Sequence, residues 1–374
     1  MKAFFLSLAI LAFVFVSCDD KVEVEAKVDN ILSGDIENDS TLNASVEYIL
    51  NGPLHVVNGG KLRIPAGTVI KAKKGFNKYI LVEMGGQIFI NGTAEKPVTL
   101  TSAEATPKSG DWGGLVINGK AILSGATGKV TTSTTEIQPA AIYGGSVDND
   151  NSGEITYLKV LYTGAKSSAD VEHNGLTLNG VGSGTKIENV YIVSAADDGV
   201  EFFGGSVSVK NLLVVNSDDD MFDATQGWKG TMDNAFGIWE AGYASNESDP
   251  RGLELDGNLD GKTPGDINQS NFKFKNITVL NKSTFQMHDA IKLRRGATAE
   301  ITNILIKGEG TNIKDIIDLV DGAGNGNASS KIDYKVVGAT STTVTNPDAA
   351  NITVNTANTG ANTSVFGWTG FTNF

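Results

Sequence analysis

Short runs in which apolar and polar residues alternate fill this chain from about residue 47 onward, separated by glycine and Asx-Gly pairs. "GQIFING", "LVING", "LTLNG" and "SVSVKNLLVV" are examples. Alternation with period two predicts half-buried strands, and the Asn-Gly and Gly-Gly pairs between them predict tight turns. No convincing amphipathic helix follows the first 20 residues. The alternation also recurs at longer range. The pattern apolar-x-Asn-apolar-x-apolar stands at "IENVYI" from Ile187, "VKNLLV" from Val209, "FKNITV" from Phe274 and "ITNILI" from Ile301. A variant, "ITYLKV" from Ile155, puts Tyr157 in the asparagine place. Within one copy, Ile187, Val190 and Ile192 should point inward and Glu188 and Tyr191 outward. The asparagine interrupts the alternation, so the chain is expected to turn there, with stacked amides bonding along the ladder.

A unit of 22 to 24 residues with short strands and tight turns has no means of burying its own apolar side. Stacked on copies of itself it encloses a continuous core. The architecture predicted is an all-β solenoid, a parallel β-helix of roughly ten coils about 4.8 Å apart. The leucine consensus of leucine-rich repeats is absent, and a propeller needs a longer period. Aligning the strand that opens each coil sets "GLTL", "GVEF", "MFDA", "GLEL" and "AIKL" in register. Leu176, Val200, Phe222, Leu253 and Ile291 then face the core, and Thr177, Glu201, Asp223, Glu254 and Lys292 face outward. Two columns precede these strands. One holds His173, Asp197, Asp219, Pro250 and His288; the other holds Asn174, Asp198, Asp220, Arg251 and Asp289.

The acids in these columns are not demanded by the repeat. Eight residues after Asn189 and Asn211 stand Asp197 and Asp219, but eight after Asn276 and Asn303 stand Thr284 and Thr311. Like charges opposite each other across strands destabilise a sheet, so an offset is expected: a bound cation, a raised pKa, the neighbouring Lys292 and Arg294, or solvent exposure. A calcium site is one reading, because the ion takes six to eight oxygens in irregular geometry. Asp197, Asp198, Asp219 and Asp220 are its candidate ligands. A catalytic site is another, with Asp198, Glu201, Asp220, Asp223, Lys292 and Arg294 as candidates for acid, base and substrate contacts. Ligand binding would use Asp197, Glu201, Asp219, Asp223, Glu254, His288 and Lys292. A solvated acidic face with turn-capping aspartates is the bland alternative. Zinc is disfavoured, since His173 and His288 fall in one column but about four coils apart, beyond bonds of about 2 Å. Trp112, Trp228 and Trp239 are either sugar platforms or core, and tryptophan is more often core.

Charge and the ends of the chain add to this. Formal net charge is -13, from 43 acidic and 30 basic residues, with no basic cluster, which argues against nucleic acid as a partner. Lys2 precedes an apolar run from Ala3 to Val16 that is too short to span a bilayer and fits a secretory leader. Cys18, the only cysteine, follows directly, so no disulfide staples the fold. The junction resembles the lipobox of bacterial lipoproteins, which implies lipidation at Cys18 and a membrane anchor made of acyl chains. The domain reading is a leader over 1–18, an acidic tether over 19–46, a β-helix over 47–340 with an insertion near 227–270, and a C-terminal cap over 341–374.

The stretches "GGKLRIPAGTVIKA", "GDWGGLVINGKA", "YGGSVDNDNSGEITYLKVLYTG" and "NGLTLNGVGSGTKIENVYIVSAADDGVEFFGG" resemble the right-handed β-helix surface lipoproteins of Bacteroidetes, within the pectin-lyase-like superfamily. That resemblance covers most of residues 50 to 240. It implies an outer-membrane, lipid-anchored protein exposed at the cell surface, with a polysaccharide or another surface ligand as partner. In the same superfamily, "ADDG" and "SDDDMFD" resemble the Asp-Asp motif of polygalacturonases and "HDAIKLR" loosely resembles their Arg-Ile-Lys strand, but Gly-His-Gly is absent. Three roles follow: a glycan-binding surface protein with calcium, a polysaccharide lyase or glycoside hydrolase on the same acids, or a passive adhesin.

Overall fold

The computed structural model describes residues 29–168 and 171–374. The leader and Cys18 lie outside the described residues. Strands from successive coils pair in parallel into one continuous 24-stranded sheet that winds around a single core. One face can be followed rung by rung through Asp35, His55, Leu81, Val116, Thr177, Glu201, Asp223, Glu254, Lys292, Asp318 and Thr345. This is a parallel β-helix, and its register is the one expected from the aligned strands, the coil of Glu254 included. Leu176, Val200, Phe222, Leu253 and Ile291 all lie in the core at no more than 1% exposure.

The asparagine corner is equally direct. Asn189, Asn211, Asn276 and Asn303 have φ between 56° and 58°, and Tyr157 in the variant copy has φ 51°. Among non-glycine residues asparagine tolerates this left-handed region well. Each corner bends one strand onto two faces of the solenoid. The amides bond from coil to coil, Asn211 Nδ2 donating to Asn189 Oδ1 at 2.9 Å and Asn303 Nδ2 to Asn276 Oδ1 at 2.8 Å. Asn234, not recognised in the sequence, joins the same ladder through Asn211 Oδ1 at 2.9 Å and has φ 65°.

Both ends depart from expectation. Residues Ile31–Ile36 and Asp39–Thr41, expected within a tether, are strands of the first coil. Only Leu32 there is buried against the core, which is why the alternation was faint. In the expected cap, Val344–Thr345 and Asn351–Val354 add a last rung. The chain from Asn358 then runs back along the outside of earlier coils. Asn358 Nδ2 donates to Asp333 Oδ1 at 2.7 Å, Thr359 N to Asn303 Oδ1 at 2.7 Å and Ala361 N to Thr278 Oγ1 at 2.9 Å. Asn362 N donates to Asn234 Oδ1 at 2.6 Å. Phe366 is fully buried against Leu213, Val215, Phe236 and Leu280.

Candidate functional site

Strands Leu176–Asn179, Val200–Phe203, Phe222–Thr225 and Leu253–Asp256 form the floor of a cleft of about 570 Å³. Period-two alternation puts Thr177, Glu201, Asp223 and Glu254 in one outward row, and Asn179, Phe203 and Thr225 in a second. Asp197 and Asp219, on the turns leading into two of these strands, complete the acid-rich end.

One wall comes from a segment the sequence did not mark. After the strand Leu115–Asn118 the chain leaves the coil, forms the hairpin Ser133–Thr135 with Gln138–Tyr143, and returns only at Gly153. Part of the anticipated insertion meets it: Gly125 N donates to Ile267 O at 3.0 Å, and Ile267 N returns the bond at 2.8 Å. Leu259 and Asp260 from that insertion line the cleft. The crossing works because Gly204 and Gly227 carry no side chain. A Cβ at 204 would strike Leu123, and one at 227 would lie 2.5 Å from Ser124 N, with both residues at positive φ.

The acids divide into three groups by their partners. Asp198 and Asp220 belong to the scaffold. Asp198 Oδ1 accepts from Asp220 N at 2.9 Å, and Asp220 Oδ1 accepts from Arg251 N at 2.6 Å, so each caps the backbone of the next coil. Asn174 does the same for Asp198 at 3.2 Å. Glu254 and Asp256 are neutralised by arginine. Glu254 pairs with Arg251 and Arg294, and Asp256 takes Arg294 Nε and Arg295 Nη1, each at 2.7 Å. Asp197, Glu201, Asp219 and Asp223 make no salt bridge among the described residues. Glu201 takes one hydrogen bond, from Asn174 Nδ2 at 2.7 Å. Asp219 Oδ1 and Asp223 Oδ1 are buried without any partner.

Burial raises acids in all three groups, pushing Asp198 and Asp220 well above the ordinary carboxyl range and Asp256 up to about 6 despite its arginines. Burial, then the carboxylate of Asp223, pushes Glu201 well above the ordinary carboxyl range. Burial, then Glu254, does the same to Asp223, and burial, then Glu172, to Asp197. Asp219 is pushed up to about 7 by burial and by Glu254. Two unit charges near 5 Å repel by about 3 kcal/mol at an effective dielectric of 20. A proton or a cation relieves that repulsion. The oxygens of Asp197, Asp198 and Asp219 lie within 4.8 Å of one another, as do those of Asp198, Glu201 and Asp223, and those of Asp220, Asp223 and Glu254. Such oxygen-only groups match the donor preference of calcium.

Other candidates move away from the cleft. His288 holds Asp289 Oδ2 through Nδ1 at 2.9 Å and sits 2.8 Å from Lys314 Nζ. Lys292 is spent on Asp318 and on Val320 O. Neither lines the cleft, because the outward row continues past its end. Arg294 does line it, but with its guanidinium already on Glu254 and Asp256. Trp112, Trp228 and Trp239 are core, each indole bonded to a main-chain carbonyl, of Leu161, Val207 and Ser217 respectively. The sequence reading left Phe203 unmarked. It stands half-buried on the cleft floor beside Tyr143, ring centroids 6.4 Å apart.

A family model described as a pectate-lyase-like beta-helix domain matches residues 34–371. No curated relative matches the sequence. Among solved structures, tailspike protein 2 of the Escherichia coli O157:H7 bacteriophage CAB120 is similar over 81% of this chain, at 9% identity and a TM-score of 0.26. The match covers 42% of that protein's own length.

Proposed function

This chain belongs to the pectate-lyase-like β-helix family, and on that premise we propose that its acidic cleft binds calcium and, over the ion, a polysaccharide. The observation that carries the reading is the in-register pair Glu201 and Asp223, flanked by Asp197 and Asp219, with oxygens of Asp219 and Asp223 buried and unpartnered. Asp198 contributes an oxygen to the same groups while its backbone-capping bond fixes its position. Calorimetric titration with calcium chloride tests it. Glu201→Gln with Asp223→Asn should weaken binding at least tenfold, about 1.4 kcal/mol. Unchanged binding in that double variant rejects the reading.

A second reading is favoured by the close approach of Asp198, Glu201 and Asp223 and by their raised pKa values. Carboxyls about 5 Å apart, one of them protonated, suit a retaining glycoside hydrolase. New reducing ends released from a polysaccharide, and lost in the same double variant, would make the protein an enzyme. Absence of both calcium and glycan binding would leave the passive adhesin. We also propose that Cys18 is lipidated and that the cleft faces outward from the cell. Metabolic labelling with a tagged fatty acid, abolished by Cys18→Ser, tests the first, and proteolysis of intact cells tests the second.

A further inference from the structure

Lining residues of the cleft include five with a buried side-chain atom that has no hydrogen-bond partner: His173, Asn179, Asp219, Asp223 and Arg295. Four of these atoms are acceptors. Asn179 Oδ1 is left bare because its amide nitrogen is committed to Asn118 Oδ1 at 2.9 Å, and the residue is 2% exposed. His173 is 1% exposed and bonds Phe76 O at 3.0 Å through Nε2, which places its hydrogen there and leaves Nδ1 a bare lone pair. Burial lowers its pKa to about 4, so it stays neutral. The exception is Arg295 Nε, a donor, and it lies 3.8 Å from Asp321 Oδ1. Calcium, under the reading above, takes the oxygens of Asp219 and Asp223; Asn179 Oδ1 and His173 Nδ1 stay open, and a ligand that brings donors completes such acceptors.

Charge narrows the class further. Arg294 and Arg295 are the only cationic side chains in the lining, and both are engaged by Glu254 or Asp256. Each guanidinium is already paired with a carboxylate, so a sugar carboxylate would have to compete with Glu254 and Asp256 for it. One divalent ion also cannot neutralise Asp197, Asp198, Glu201, Asp219 and Asp223 together, so a polyanion would meet residual negative charge or protonated acids. The remaining feature is apolar. Phe203 occupies a place in its row where the neighbouring coils carry Asn179 and Thr225, two residues along the same strand face from Glu201. Alternate positions of a strand are spaced about 6.6 Å apart along the backbone, so Phe203 and Glu201 offer an aromatic surface and an acceptor to adjacent parts of one sugar.

We propose that the ligand of this cleft is an uncharged hexose glycan, with a ring stacked on Phe203 and hydroxyls donated to Asn179 Oδ1 and the acid row. The inference rests on the cleft being the ligand site proposed above, and it selects neutral sugars over polyuronates. The full chain is titrated in calcium with cellohexaose, mannohexaose, maltohexaose and hexagalacturonate. At least one neutral hexasaccharide should bind tenfold or more tighter than hexagalacturonate. Phe203→Ala should lower that binding about tenfold, Phe203→Trp should retain it, and Asn179→Leu should lower it in a protein whose circular dichroism and Tm show it folded. Tighter binding of hexagalacturonate, binding of none of the neutral ones, or indifference to Phe203→Ala overturns the proposal. Calcium titration of the same proteins separates the two readings. Calcium binding with no neutral glycan sinks this inference alone, whereas neutral glycan binding that ignores a chelator sinks the calcium reading and leaves this one.

Discussion

The asparagine corner and the acid row are two columns of the same coils, stacked with the same spacing, yet they solve opposite problems. An asparagine amide carries both a donor and an acceptor, so Asn189, Asn211 and Asn234 bond to one another up the stack, and Asn362 N of the tail closes the remaining oxygen of Asn234. An ionised carboxylate is acceptor-only and repels its copy on the next rung. Asp198 and Asp220 each gain a main-chain N–H donor from the next coil, and Glu254 is neutralised by arginine. Glu201, Asp223 and Asp219 have no comparable outlet. In a repeat protein, a self-satisfying column is architecture, and a column that needs an external partner marks where one binds.

Substitutions sharpen that contrast. The largest effect should come from Asn211→Leu, which loses ladder bonds on both sides and forces a branched residue to φ 57°. Two lost bonds at about 1 kcal/mol each and about 1 kcal/mol of backbone strain predict a loss of about 3 kcal/mol in urea denaturation. Asn211→Gly removes the bonds without the strain and should lose less. In the acid row the sign reverses. Glu201→Gln with Asp223→Asn, measured in chelator, should raise stability by about 1 to 3 kcal/mol because it removes buried like charge. Destabilisation of similar size would mean that these acids are architecture after all.

Proton linkage gives a smaller, directional test. A carboxyl whose folded pKa is raised keeps its proton in the folded chain at pH values where the unfolded chain has lost it. Its contribution is fully present below the unfolded value and is lost as pH rises towards the folded one. For Asp219 the window runs from 3.8 to about 7. In chelator, Tm should fall by a few degrees across it. Calcium should recover the loss most fully at the upper end, and Asp219→Asn should flatten part of the slope. The smallest effect belongs to an ordinary surface pair. Lys186 Nζ lies 2.8 Å from Glu154 Oε1 with both side chains exposed, and Lys186→Ala should change stability by less than about 0.5 kcal/mol.

Much of this was legible because stacking repeats the same physical demand at every coil. The inward column from Leu176 to Ile291 and the outward one from Thr177 to Lys292 follow from period two alone. Asn234 escaped because Gly237 stands where the other copies have Val214, Val279 or Ile306. That space is taken from outside the strand: a Cβ at 237 would lie 2.5 Å from Met221 Sδ. Arg294 and Lys292 stood out as possible offsets, but which acid each takes was not readable: Arg294 takes Glu254, 40 residues away, and Lys292 takes Asp318. The hairpin wall was also hidden, because its residues obey a one-off clasp with Ile267 and no repeating rule.

A solenoid in which each coil touches only its neighbours is free to unzip from one end. The tail from Asn358 onward removes that freedom, because one short segment is tied to Asp333, Asn303, Thr278 and Asn234, and to Lys159 through Thr369 O. Coils far apart along the axis thereby share one fastening, so the last rung cannot peel away without drawing that segment off rungs deep in the stack. The tail turns a ladder of separable steps into a body that opens as a unit, with the acid row held at fixed spacing inside it.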